Sequence, residues 1–149
     1  MSLDVGTDNQ TLLDDPFYLG NRHERRPGAD YDAFIARYVE TVHRLFPKAL
    51  LHFEDFGPEH AHTILTRYSP EYCVFNDDIQ GTGAVVMAAI YSAADITGTA
   101  LRDHRFVVFG AGTAGVGIAN QLADAIVADG ATPEQALAQI WLVDKQGPL

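Results

Sequence analysis

An α/β fold, with a parallel sheet and flanking helices, is predicted by three features of this 149-residue chain. Apolar runs too short for helices, Ala49–Phe53, Phe106–Phe109 and Ile140–Val143, read as buried parallel strands. Longer stretches with helical periodicity lie between them. A glycine cluster, Gly110-Ala111-Gly112-Thr113-Ala114-Gly115, joins one such strand directly to one such helix.

Each element has its own local signal. Residues 4–31 are rich in Asp, Asn, Gly, Pro and Arg and read as loop and turn. Within them, the arginines of Gly20–Gly28 suit an exposed connection or, alternatively, an anion. Phe34, Ile35, Tyr38, Val39, Val42, Leu45 and Phe46 recur at spacings of three and four, which predicts a helix over Tyr31–Phe46. Asp30 or Asp32 suits its start and Pro47 its stop. The run Ala49–Phe53 follows, and Glu54-Asp55 sits where a parallel strand delivers side chains into a crevice. Pro58–Tyr68 reads as a short helix with Gly57-Pro58 at its first turn. Glu71–Phe75 is a strand or extended segment, again followed by acids, Asn76-Asp77-Asp78.

Small apolar residues over Thr82–Ile96 predict a tightly packed helix that Gly98 ends. After the strand Phe106–Phe109 comes a helix from about Ala114 to Ala128, then a helix start with Thr132 as cap and Pro133 first. Ile140–Val143 is the next strand, with Asp144 behind it. Strand, glycine turn, helix, strand and acid form the opening unit of a Rossmann fold. The expected fold is therefore a Rossmann-like parallel sheet with flanking helices, truncated and drawn from parts of two domains.

Bulk properties narrow the function classes. A net charge of −10 argues against nucleic acid, because no basic stripe exists to displace counterions from phosphates. The single cysteine, Cys73, rules out an internal disulfide and fits a reducing compartment. Its apolar neighbours favour a buried structural thiol over a reactive one. No apolar run approaches the roughly 20 residues of a membrane helix, and no basic segment with an apolar core opens the chain. A cytoplasmic protein with no membrane partner is expected. Met1-Ser2-Leu3 is given no functional weight.

Gly110-x-Gly112-x-x-Gly115 follows a strand and opens a helix, the context a dinucleotide fingerprint requires. Gly110 permits the turn, Gly112 admits a pyrophosphate and Gly115 lets the helix approach the sheet; a ligand-free tight turn is the alternative. Asp144 is placed to accept from an adenine ribose, which favours NAD, while the adjacent Lys145 keeps NADP open. It stands 29 residues after Gly115, against the usual ~20, with the Gly130–Gln135 insertion between.

The carboxylates that follow the two strands offer oxygen donors, which suit Mg2+ or Mn2+ better than soft metals. Adjacent acids on a regular strand diverge, so Glu54 and Asp55 converge only if the backbone turns there. Taken without any family resemblance, these acids read as solvated strand ends, with a cation site as the alternative. A zinc site from His52, His60 and His62 is disfavoured, since helical residues two apart diverge by about 200°.

Four stretches carry a resemblance: Leu12–Gly20 (LLDDPFYLG), His52–Phe56 (HFEDF), Tyr72–Thr82 (YCVFNDDIQGT) and Phe109–Gly115 (FGAGTAG). They resemble the malic enzyme family, including its malolactic relatives, and the resemblance runs from Leu12 to Leu149. It implies Glu54, Asp55 and Asp78 as metal ligands and Asp77 as a catalytic residue beside the family's lysine. The structural reading of Asp77 is a cap on the helix starting near Gln80, which is compatible with the catalytic role, whereas Asn76 and Thr82 are expected to organise the turn. Gly110, Ala111, Gly112, Thr113, Ala114, Gly115 and Asp144 are expected to bind cofactor.

The implied reaction oxidises L-malate with NAD and releases CO2 to leave pyruvate, in an enzyme that is a homo-oligomer at full length. The malolactic reaction and a non-catalytic NAD-binding fragment are the alternatives. The resemblance also puts residues 1–75 in a catalytic domain and 76–149 in an NAD-binding domain. The family's lysine base and tyrosine acid precede the equivalent of Leu12, and neither Lys48 nor Lys145 matches that lysine. Family members are several times longer, so the chain is expected to be an internal fragment, inactive alone.

Overall fold

The computed structural model describes residues 3–148, so Met1, Ser2 and Leu149 lie outside the described residues. The chain divides into two units, Met1–Ala49 and Leu50–Leu149.

In the first unit, a short helix α1 (Gln10–Asp14) interrupts what the composition predicts to be loop. Asn9 nucleates it, its side chain accepting from the N–H groups of Thr11 and Leu12. Helix α2 (Ala29–Leu45) begins at a turned glycine, Gly28 (φ 68°), and has no side-chain cap. Asp30 and Asp32 occupy its first turn, where carboxylates complement the helix dipole. Tyr31, Ile35 and Val39, four apart, form its buried stripe. The Arg22 guanidinium donates to the carbonyls of Pro16 and Tyr18, so this arginine braces its own loop.

The second unit opens with β1 (Leu51–Phe53), α3 (Pro58–Tyr68) and β2 (Val74–Asn76). A π-helical turn over Asp77–Gly81 then runs without a break into α4 (Thr82–Thr97). Gly98, in the left-handed region at φ 65°, ends α4 as expected. A 3-10 turn (Leu101–Asp103), β3 (Phe106–Phe109), α5 (Thr113–Ala128), α6 (Pro133–Leu137), β4 (Ile140–Asp144) and β5 (Gly147–Pro148) follow. Thr132 and Gln135 cap α6 reciprocally with Pro133 leading, so the residues between Gly130 and Gln135 are the start of a real helix.

β1 and β2 pair in parallel, with Leu51 opposite Val74 and Phe53 opposite Asn76. β3 and β4 pair in parallel in a separate sheet. β5 adds an antiparallel edge strand that the sequence reading lacks, made possible by Gly147 at φ 106° after the turn. The core of this unit gathers Met87 of α4, Leu101, Leu122 and Ile126 of α5, and Ala136 of α6.

Two expectations are corrected. Cys73 is exposed: its carbonyl accepts the Leu51 N–H at the head of the β1–β2 ladder, while its side chain stays outside the core. The joined turn and α4 also make a continuous helix, Asp77–Thr97, long and apolar enough by length and composition to cross a membrane. Small residues between the larger apolar ones hide this length in the sequence. The division after Ala49 precedes the expected domain change near Phe75, because β1 pairs with β2 and belongs to the second unit.

Candidate functional site

Parallel pairing makes β1 and β2 end side by side and point the same way. Glu54-Asp55 and Asp77-Asp78 therefore leave neighbouring strands, although 23 residues separate Asp55 from Asp78. Asp55 adopts φ 61°, the positive-φ exception among the described non-glycine residues. Aspartate tolerates this conformation better than most residues, and such outliers concentrate at functional sites. The sequence requires a backbone turn if Glu54 and Asp55 are to act together, and the turn falls at Asp55 itself. Across the strand ends, the Asp55 N–H donates to Asp78 Oδ2 at 2.9 Å.

Asn76, fully buried, organises the second acid pair. Its Oδ1 accepts the Ile79 N–H at 2.9 Å, and its own N–H donates to Gln80 Oε1 at 3.0 Å. The cap is therefore Asn76, and the structural reading of Asp77 as that cap is corrected. Asp77 instead meets His52, with Oδ1 3.3 Å from Nε2. The His52 ring is held edge-on against Phe75, its partner across the ladder. The composition of the chain does not reveal this contact; the strand register does. His60 and His62 lie on α3, and no zinc-like cluster forms with them among the described residues.

The donor chemistry of Glu54, Asp55 and Asp78 fits a hard cation. The buried Asn76 Nδ2 beside them has no partner among the described residues, a polar atom suited to a ligand or a further segment at this turn. No three Asp, Glu, His or Cys side chains converge at metal distance among the described residues. Glu54 and Asp55 are exposed, so swinging their carboxylates inward disturbs no packing.

The three glycines of the turn differ in what the fold asks of them. Gly110 has φ 118°, and its N–H donates to the Val143 carbonyl at 2.7 Å. A Cβ on Gly115 would lie 1.8 Å from the Gly110 carbonyl oxygen, so close packing of α5 on β3 requires glycine there. Gly112 differs: its φ of −75° suits any residue, and a Cβ would meet no protein atom within 4 Å. Folding places no demand for glycine at this position, which lies at the start of α5, where no side chain caps the helix. Ala111 lies in the turn, and Thr113 and Ala114 are the first two residues of α5. Asp144 ends β4, half-buried, and one of its oxygens accepts the Lys145 N–H. Two concave surfaces elsewhere, one around Tyr31 and one around Arg102, include none of these residues.

One contact joins the acid turn to the glycine turn's helix. Gln121 of α5 donates from Nε2 to the Ile79 carbonyl at 3.0 Å and to the Gln80 carbonyl at 3.4 Å. The sequence marks it only indirectly, through the helical glycine Gly83 that makes room for it and Gly117 that lets α5 approach Ile79.

Residues 1–69 match the family model described as "Malic enzyme, N-terminal domain", and residues 79–149 match "Malic enzyme, NAD binding domain". A Mycobacterium tuberculosis protein named provisionally as a malate oxidoreductase using NAD is 66% identical over all 149 residues, which cover 27% of its length. NAD-dependent malic enzyme 3 of Bacillus subtilis is 52% identical over 99% of the chain and 26% of its own length. The malolactic enzyme of Lactiplantibacillus plantarum is 50% identical over the whole chain and 27% of its own length. Among solved structures, the NAD-dependent malic enzyme of Thermotoga maritima superposes with a TM-score of 0.65 at 28% identity, over 85% of this chain and 30% of that one. The chain thus spans about a quarter of the length of the curated relatives it matches.

Proposed function

The chain belongs to the malic enzyme family, and from that premise we propose that it carries the cation- and NAD-binding acids of an oxidative malate decarboxylase. The observation carrying this reading is the Asp55–Asp78 hydrogen bond, which joins the two acid motifs within the unit that also holds the glycine turn.

In this reading Glu54, Asp55 and Asp78 hold Mg2+ or Mn2+, and Gly110–Gly115 with Asp144 hold NAD. When bound, the cation supplies Lewis-acid polarisation of the substrate's 2-oxygen and NAD accepts the hydride. Asp77 stands one residue from the ligand Asp78, oriented here by His52, where it positions the proton-transferring base. That base comes from elsewhere in the complete protein, since Lys48 and Lys145 lie in neither acid motif. We assign residues 1–75 to the catalytic domain and 76–149 to the NAD-binding domain, in a cytoplasmic homo-oligomer. We read Asp77–Thr97 as a helix that packs on protein, since it buries Gly83 and Met87 in its own unit.

The test is product analysis of the complete protein with L-malate, NAD and Mn2+. The expected outcome is pyruvate and NADH in equal amounts, abolished by chelation. Lactate without net NADH assigns the malolactic reaction instead. NAD binding with neither product assigns a non-catalytic role.

A further inference from the structure

We propose that Gln121 is a positioning residue that holds the Asp77–Asp78 turn in place from the helix that begins at the glycine turn. Local geometry carries the proposal, and it rests on the functional reading above only for what the turn binds.

The turn Asp77–Gly81 is π-helical, a form that occurs as single turns and frequently at functional sites. Asn76 secures its start through the bonds to Ile79 and Gln80. Gln121 secures its far side by donating to the Ile79 and Gln80 carbonyls. Gly117 lies one helical turn before Gln121, on the same face. A Cβ there would come 2.9 Å from the Ile79 oxygen, so the two backbones are in direct contact. On the facing helix, a Cβ on Gly83 would fall 2.2 Å from Gln121 Nε2. Two glycines and one amide thus interlock the acid turn with α5. An ordinary helix contact needs only apolar area; this one uses a partly buried polar side chain with a defined direction.

Anything that moves the N-terminus of α5 is therefore felt at Asp78. Under the functional reading, NAD and the cation reinforce each other's binding through Gln121.

The experiment compares the complete wild-type protein with Gln121→Met, which keeps length and helix propensity but cannot donate. Gln121→Glu serves as a second variant if the first does not fold. Mn2+ affinity is measured by electron paramagnetic resonance with and without NAD, alongside kcat and KM. In the wild type, NAD tightens Mn2+ binding about fivefold or more. In Gln121→Met that gain falls below about twofold, and kcat drops about tenfold or more, while NAD affinity alone changes little. A purely structural glutamine would lower Tm but leave the gain and kcat intact, which overturns the proposal.

If the wild type neither binds Mn2+ nor oxidises malate, the functional reading fails, and crystal structures of wild type and Gln121→Met decide the proposal. Loss of the Asp55–Asp78 bond in the variant sustains it, and superposable acid turns overturn it.

Discussion

Asp55 shows how a single backbone angle makes a site from two strand ends. In an extended conformation it would send its carboxylate to the face opposite Glu54; at φ 61° the chain turns and its N–H reaches Asp78. The carboxylate of Asp78 therefore has a structural partner as well as its proposed ligand role. Asp78→Asn keeps an oxygen able to accept from Asp55 but removes the charge a cation needs. In the complete protein this variant is expected to fold normally and lose Mn2+-dependent malate oxidation by about 10- to 100-fold, the scale on which metal-site partners act. Full activity at ordinary Mn2+ would remove Asp78 from the ligand set. The motif NDDIQGT is legible in the sequence, but its contact with His52 is not, because that contact exists only through the β1–β2 register.

Among the elements, α5 carries the clearest division between folding and binding. Gly115 is needed by the fold, whereas Gly112 is not. Gly115→Ala is expected to push α5 from β3 and destabilise the protein by about 1–3 kcal/mol, as overpacking does. Gly112→Ala should leave stability unchanged and weaken NAD binding about tenfold or more, as a methyl group in the path of the pyrophosphate would. Urea unfolding beside nucleotide titration separates the two; equal loss of stability in both variants would count against a phosphate site at Gly112.

Helices with strong signals, Pro58–Tyr68 and Thr82–Thr97, are readable from pattern alone to within a residue or so. The elements that pattern misses are those made by single residues: α1 by the Asn9 cap, and β5 by Gly147.

At the scale of the molecule, exposed apolar surface is the main feature. Phe109 is 88% exposed and Val107 67%, so β3 is covered on one face where a fully wrapped parallel strand is covered on both. Ile96 and Val85 of α4 are similarly exposed. Such faces are those of a part that packs against more protein, in keeping with relatives about four times as long. The 149-residue chain assayed by itself is expected to form no NADH from malate and Mn2+, while the complete protein does. Turnover by the isolated chain would show that its own residues suffice for proton transfer.

What the sequence determined by itself is whatever depends on neighbours along the chain: the α/β class, the glycine turn, most helix limits and the two acid motifs. These follow from periodicity, caps and φ preferences, which act over a few residues. The tertiary structure alone decided which distant groups meet. The Asp55–Asp78 bond, the His52–Asp77 contact and the Gln121 bridge span 23, 25 and 42 residues, and no local preference encodes them. Parallel pairing and helix packing bring them together because a strand end and a helix face are positioned by the whole sheet.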